Sequence, residues 1–516
     1  MRVQNSLKNI FFGLSSQFIS IILGFIVRTI FIYMLGVEYL GIDGLFSSIL
    51  MMLSLANLGF DTAIIYSLYK PLAEKNYYQI QALMNLYKKA YRIVALAVLV
   101  IGISIMPFLP SLMNGETTVN NINLIYLLFL INSVLSYLFI YKQSIVIADQ
   151  RHHVISKIHT ASVILTNLFQ VMLLLLTANY IVFLIVQIIC RNLENIYTAH
   201  IANKLYPLLK EKNESKLTKE EKRSFFENLY SLLLYKISGV VINGTDNIVI
   251  SSFIGLKWVG IYSNYLLIIN TINTLLGYIF YSVTASVGNL NTTENAEKKF
   301  FIFRVLNLVN FWIYGLISVF LWILINPIIN FWLGPEFLFS EVVLFFIVLN
   351  FFTAGMQNTT TIFRETTGLF KKGKYRPIVA ALINIAASIY LANQIGVAGV
   401  FLGTVISRMC TYFWYDPYVI YKYEFKTTIQ SYYFRYGLFT ILVLASIFII
   451  EVFSMLLPVN TVANFSIKFV LCMIIPNVIF FILFRKSEEF EYLISILTGI
   501  VQNVKPKNLF KRSYNT

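Results

Sequence analysis

Two kinds of residue in this sequence could do chemistry within apolar surroundings: a lone cation and a few carboxylates. The cation is Arg28, in Gly24-Phe25-Ile26-Val27-Arg28-Thr29-Ile30-Phe31-Ile32, and between Ile10 and Leu35 it is the only charged residue. A helix of this length crosses a bilayer at about 1.5 Å per residue, which puts a permanent guanidinium deep in hydrocarbon. There it is unfavourable by several kcal/mol or more unless it faces a partner or a wet cavity. Arg28 therefore reads as half of a helix-packing ion pair with an aspartate, or as a cation lining a path for something anionic. The carboxylates are Asp246, in Asn243-Gly244-Thr245-Asp246-Asn247, and Asp61, after Asn57-Leu58-Gly59-Phe60. Asp246 admits three readings: partner of Arg28 across a cavity, coupling-ion site, or helix-packing polar group. The first is preferred. Asp61 lies nearer a span end and reads more readily as a helix-edge residue.

The elements that must hold these groups follow from composition. The chain has 516 residues, 58% of them hydrophobic and 12% charged, with a mean hydropathy of +0.72. Soluble domains carry about 25% charged residues, so this is a polytopic membrane protein. Met1 to Asn9 runs directly into a span too long for the apolar core of a signal peptide, so no cleavable signal is expected. Cys190, Cys410 and Cys472 stand far apart in apolar runs and read as core residues, without disulfide or metal spacing. His152, His153, His159 and His200 suggest no metal site. With Asp149, the first three form the only cluster that an enzyme could use, and neither an enzyme nor a cofactor is expected.

Apolar segments of about twenty residues recur. They are expected at 10–35, 42–66, 91–112, 122–147, 158–178, 180–203, 230–254, 259–287, 305–330, 339–363, 377–394, 397–420, 436–457 and 466–484. This is an all-α integral membrane fold of about fourteen helices. With the first residue in the cytoplasm, 37 of the 40 Lys and Arg fall on cytoplasmic loops and edges, and only Arg28, Lys257 and Lys468 do not. The net charge of +16 is thus topological, with anionic headgroups as a secondary partner and no nucleic acid implied. Both termini are expected in the cytoplasm. The opposite loops are short and leave no room for an extracytoplasmic catalytic domain.

An internal repeat organises the first twelve spans. Leu35-Gly36-Val37-Glu38-Tyr39-Leu40-Gly41-Ile42 follows the first span, and Ile254-Gly255-Leu256-Lys257-Trp258-Val259-Gly260-Ile261 follows the seventh, at an offset of 219. The runs around Asn132 and Asn350 recur at 218. This predicts a parallel duplication. Residues 1–205 form an N-lobe of six helices, 206–229 a cytoplasmic linker and 230–435 a six-helix C-lobe. Two added helices fill 436–484, and 485–516 is a cytoplasmic tail. At this offset Arg28 corresponds to Asn247, the neighbour of Asp246.

Several segments carry a family likeness: Gly24-Phe25-Ile26-Val27-Arg28-Thr29, Tyr39-Leu40-Gly41-Ile42, Leu68-Tyr69-Lys70-Pro71-Leu72-Ala73, Thr245-Asp246-Asn247-Ile248-Val249-Ile250-Ser251, Val259-Gly260-Ile261-Tyr262-Ser263-Asn264-Tyr265 and Gly396-Val397-Ala398-Gly399-Val400. In these the chain resembles Wzx-type polysaccharide-repeat-unit flippases. Their multidrug/oligosaccharidyl-lipid/polysaccharide exporter superfamily also holds the lipid II flippase and the multidrug and toxin extruders. The resemblance implies two pseudo-symmetric six-helix lobes around a cavity that opens alternately to each side of a bacterial plasma membrane. It implies an undecaprenyl-diphosphate-linked oligosaccharide as cargo, with polysaccharide polymerases or synthases as possible partners. The two extra helices would serve the lipid tail. The lipid II flippase has several arginines in its early cavity-lining helices, whereas the second span here offers Asp61, which favours the Wzx-like reading. Lipid II flipping and cation-coupled drug export are the alternatives.

Given that cargo, Arg28 is the first choice for the diphosphate, because guanidinium offers five donors in a planar fork. Arg408, in Gly403-Thr404-Val405-Ile406-Ser407-Arg408, is the second, and it also reads as a snorkelling or loop-edge arginine. Lys236 and Arg304 could steer the headgroup at the rim, although positive-inside anchoring explains them better. Asn57, Asn264 and Tyr265 could bond sugar hydroxyls, or simply join helices.

Overall fold

The apolar run around Arg28 forms a single helix, α1 (Arg2–Leu35), that stops at Gly36. Gly36 has φ +91°, a conformation side-chain-bearing residues rarely adopt, and α2 (Val37–Leu53) starts at once on its far side. The computed structural model describes residues 2–54, 60–114, 117–209, 217–369, 372–455 and 462–504, and it holds no strand among them.

The helices that follow are α3 (Phe60–Glu74), α4 (Tyr77–Ile105), α5 (Ile122–Ile140), α6 (Gln143–Ala148), α7 (His152–Thr177) and α8 (Tyr180–Leu205). Next come α9 (Lys219–Phe253), α10 (Leu256–Thr293), α11 (Ala296–Leu333), α12 (Glu341–Met356), α13 (Asn358–Thr366), α14 (Arg376–Ile395) and α15 (Val397–Cys410). The chain ends with α16 (Tyr412–Ile420), α17 (Gln430–Ser454), α18 (Val462–Phe484) and α19 (Glu488–Val504).

Among the described residues twelve helical stretches are long and apolar enough to cross a membrane. Spans two and seven of the fourteen expected from sequence are not among these twelve. Their positions are taken by the helix pair α2 and α3 and by α9. The long α9 begins in the polar linker, where a capping box holds its first turn. The Thr218 hydroxyl accepts from the Glu221 amide at 3.2 Å, and the Thr218 amide donates to the Glu221 carboxylate at 2.8 Å.

The helices gather into two compact units. The first is Met1–Thr271 with Lys374–Thr404, and the second is Ile272–Gly373 with Val405–Thr516. These boundaries cut across the sequence halves. The first unit takes α1 to α9, the start of α10, α14 and the first half of α15.

Within the first unit the two repeated octets meet. A Cβ on Gly41 would stand 2.2 Å from the Leu256 carbonyl oxygen, and a Cβ on Gly260 would stand 2.2 Å from the Val37 carbonyl oxygen. Both glycines and both carbonyls are pairs at the repeat offset of 219, so the contact is its own mirror across a pseudo-two-fold axis. Gly255 has φ +130° and breaks the chain between α9 and α10, as Gly36 does between α1 and α2.

The second unit packs around α11. Phe311 of α11 stacks on Phe439 of α17 with centroids 4.0 Å apart and touches Phe480 of α18 at 4.6 Å. The two added helices are thus fastened to α11 by aromatic packing. Arg364 of α13 and Asp416 of α16 form a buried ion pair at 2.7 Å, and the Arg364 guanidinium also donates to the Lys372 carbonyl.

Candidate functional site

The tight turn at Gly36 sets the depth of what flanks it. Arg28 lies eight residues before Gly36 and Asp43 seven after it. Two helices leaving one turn therefore carry these residues to similar depth, about two helical turns from the break. The carboxylate charge that acts on Arg28 is that of Asp43, and Arg28 in turn acts on Asp43.

Tyr180 opens α8 and is 2% exposed. Its hydroxyl donates to Asp43 Oδ1 at 3.2 Å. An aromatic setting fixes it: Phe31 and Tyr39 lie edge-on at 5.4 and 5.3 Å, and Phe183 is stacked at 6.1 Å. The carboxylate is thereby oriented by a side chain that cannot readily move. Arg28 Nη1 is buried and has no hydrogen-bond partner among the described residues. A buried donor left unmade is unfavourable by about 1–3 kcal/mol, more for a charged group. The site thus holds a guanidinium within the influence of a carboxylate, with donor capacity still to satisfy.

Asp246 lies in a different polar cluster of the same unit. Thr245 donates to Asn384 Oδ1 of α14 at 3.0 Å, and Asn384 Nδ2 donates to Thr404 Oγ1 of α15 at 2.8 Å. The Thr404 hydroxyl reaches Asp246 Oδ1 at 3.2 Å and the Val400 carbonyl at 3.4 Å. Asn247 points the other way and donates to Ser48 Oγ of α2 at 3.0 Å. Three successive residues of α9 thus tie it to α14, α15 and α2. The sequence paired Arg28 with Asp246; the carboxylate whose charge acts on Arg28 is that of Asp43, on the helix that leaves the Gly36 turn. No group of three or more His, Cys, Asp or Glu side chains is arranged to hold a metal among the described residues.

The remaining sequence candidates are distributed differently. Arg408 is half-buried in the last turn of α15, where its charge acts on Tyr436 of α17. Arg304 of α11 is committed to α19: it donates to Glu489 at 2.7 Å and to Glu488 at 3.0 Å, and Arg435 of α17 meets Glu489 at 2.6 Å. Burial pushes the Glu489 carboxyl up, but the bond from Arg304 and the bond and charge of Arg435 outweigh it and hold the group down at about 2. Asn264 and Tyr265 are both fully buried, and Asn264 bonds the Gly260 carbonyl of its own helix at 3.3 Å. Neither presents a surface to a sugar here. Asn57 lies outside the described residues, as do the side chains of Asp61 and Lys236.

Sequence reasoning passed over Asp43, Tyr180, Asn384 and Thr404. For Asp43 a signal existed, in its spacing from the glycine turn, seven residues against eight for Arg28. For the neutral residues none did, since they resemble many other polar side chains in apolar spans.

Comparison with known proteins gives three results. Residues 6–287 match the model of a family described as polysaccharide biosynthesis protein. No curated protein sequence matches at a significant level. Among solved structures the fold is similar to a lipid II flippase MurJ in an inward closed conformation, with a TM-score of 0.66, 18% identity, and 92% of this chain and 99% of that one covered. It is also similar to an inward-facing multidrug resistance MATE family transporter of the MOP superfamily, with a TM-score of 0.57, 14% identity, and coverage of 76% and 91%. A Vibrio cholerae MATE transporter, VcmN, in a bent form matches with a TM-score of 0.53, 12% identity, and coverage of 82% and 97%. At these identities the likeness concerns the fold.

Proposed function

Since the chain belongs to the polysaccharide biosynthesis protein family, we propose that it is a flippase for an undecaprenyl-diphosphate-linked oligosaccharide repeat unit. It would carry this cargo from the cytoplasmic to the outer leaflet of a bacterial plasma membrane, with both termini in the cytoplasm, for capsule, exopolysaccharide or wall-polymer synthesis. It would be a transporter without a catalytic step of its own. The observation that carries the reading is half-buried Arg28, acted on by the charge of Asp43, with its Nη1 buried and without a hydrogen-bond partner among the described residues.

In this reading the diphosphate competes with Asp43 for Arg28. Phosphate offers more acceptor oxygens and more charge than one carboxylate, and guanidinium binds it through two parallel bonds. Arg408 is the second phosphate contact. The polyprenyl tail stays in lipid while two lobes rock around the headgroup. Outward movement of a negative charge across an inside-negative membrane is favourable by about 2.3 kcal/mol per charge per 100 mV, so the membrane potential can drive the step.

A second reading concerns coupling. The Asp246 carboxylate, the Asn384 and Thr404 oxygens and the Val400 carbonyl form an oxygen-rich cluster of one formal negative charge. That set suits a proton or a singly charged cation rather than a divalent one, and Asp246 is its charged member.

Complementation of flippase-null strains of different polymer types tests the cargo class. Growth or polymer restored by the wild type and lost with Arg28→Ala supports the reading, with Arg28→Lys rescuing it only partly. Full activity of Arg28→Ala in a strain the wild type complements sinks it. Flipping unchanged by collapse of the potential removes the electrical drive.

A further inference from the structure

The reciprocal contact of the two octets has a consequence for the transport cycle. It lies at the ends of α1 and α9, on the side of the membrane opposite the basic loops. The approach is backbone to backbone: the Gly41 position abuts the Leu256 carbonyl and the Gly260 position abuts the Val37 carbonyl, each 2.2 Å from where a Cβ would sit. Any side chain at either glycine forces the two turns apart.

One turn deeper the same geometry repeats, since a Cβ on Gly44 would stand 3.0 Å from Ser263 Oγ, again a pair at offset 219. Deeper still, Asn247 Nδ2 bonds Ser48 Oγ at 3.0 Å. The octets' own charged residues do not tie them together. Glu38 instead accepts from the Thr118 hydroxyl at 2.7 Å. Close-packed backbones held by a few neutral contacts form a tight seal that can separate without unpairing buried charge. Asp43 lies between Gly41 and Gly44 on α2, so this seam and the carboxylate beside Arg28 move on one rigid helix.

We propose that this seam is the closure of the extracytoplasmic mouth, and that Gly41 and Gly260 are the residues that set whether it is shut. The side assigned to it rests on the topology proposed above. The duplication supplies the mechanism: each half brings the same glycine and the same carbonyl, so one symmetric contact closes the mouth, and both halves release together. A side chain larger than hydrogen at 41 or 260 shifts the protein toward the open-mouthed state.

The test reads accessibility and needs no cargo, so its failure is distinct from a failure of the flippase reading. In a chain whose three cysteines, Cys190, Cys410 and Cys472, are replaced by alanine, Ser263→Cys reports the seam. A membrane-impermeant maleimide added to intact cells labels it slowly when the seam is shut. Gly41→Val or Gly260→Val should raise the labelling rate about tenfold or more, the scale of an overpacked contact. Expression level and monodispersity of the purified variants confirm that they fold. As the second measurement, Gly44→Cys with Ser263→Cys should form a disulfide on mild oxidation in the otherwise unaltered seam. A labelling rate unchanged by both glycine substitutions in folded protein overturns the proposal, and so does failure of the cysteine pair to cross-link.

Discussion

The Arg28–Asp43 pair can be split by a double substitution that separates holding the fold from binding cargo. Arg28→Ala leaves half-buried Asp43 beside Tyr180 without the cation that acts on it, and Asp43→Ala leaves Arg28 without that carboxylate. Arg28 and Asp43 act on each other's charge in a half-buried setting, so removing either leaves the other less compensated. Removing both leaves no uncompensated charge, so the loss in Arg28→Ala with Asp43→Ala should fall short of the sum of the two single losses by about 0.5–3 kcal/mol. The remaining loss is the packing of the two stems and the bond from Tyr180.

Thermal unfolding in lipid nanodiscs measures the stability side, and polymer restoration in a complemented strain measures transport. The expected result is a split. The double variant regains stability but not transport, because the diphosphate has lost its guanidinium. A double variant that regains both would refute the reasoning and reduce Arg28 to a packing residue. Purely additive losses would show that the two residues do not interact.

Two further outcomes are expected. Glu489→Gln should weaken the docking of α19 on α11 and α17 by about 1–3 kcal/mol, since Arg304 and Arg435 both lose their shared carboxylate while Arg304 keeps Glu488; hydrogen exchange across 488–504 should then speed up. Because Glu489 is held at about 2, below the ordinary glutamate range, its contribution is fully present above about pH 5 and fades as pH falls towards 2, so wild-type exchange there should not respond to pH-linked loosening between pH 6 and 8. Thr404→Val removes the hydroxyl between Asn384 and Asp246 and should lower stability by about 1–3 kcal/mol, whereas Thr404→Ser should retain most of it; equal melting temperatures for wild type and Thr404→Val would show that this bond carries no weight.

Much of the fold was legible in the sequence because its signals are local. Runs of twenty apolar residues announce helices, and the octet around Gly36 and Gly41 recurs around Gly255 and Gly260. The structure gives that recurrence a physical reason: two glycines turn the chain with positive φ and two let the turns touch. The candidate site was half legible. Arg28 stood out because nothing else charged shares its span. Its partner did not, because Asp43 sits near a span edge and becomes a neighbour only once the Gly36 turn folds α2 back along α1. The role of Arg304 was hidden by distance along the chain, since Glu488 lies 184 residues away. Asn384 and Thr404 were hidden by neutrality: a polar side chain in an apolar span tells nothing of its partner until the helices pack.

The central claim, that this protein moves a diphosphate-linked glycolipid through a site built on Arg28, is tested most directly by flipping in proteoliposomes. Purified protein is reconstituted with a fluorescent undecaprenyl-diphosphate oligosaccharide, and exposure of the sugar to an impermeant lectin or glycosidase is followed over time under an imposed potential. The account predicts transfer by the wild type that Arg28→Ala abolishes and Arg28→Lys partly restores. Transfer by Arg28→Ala at the wild-type rate would contradict it.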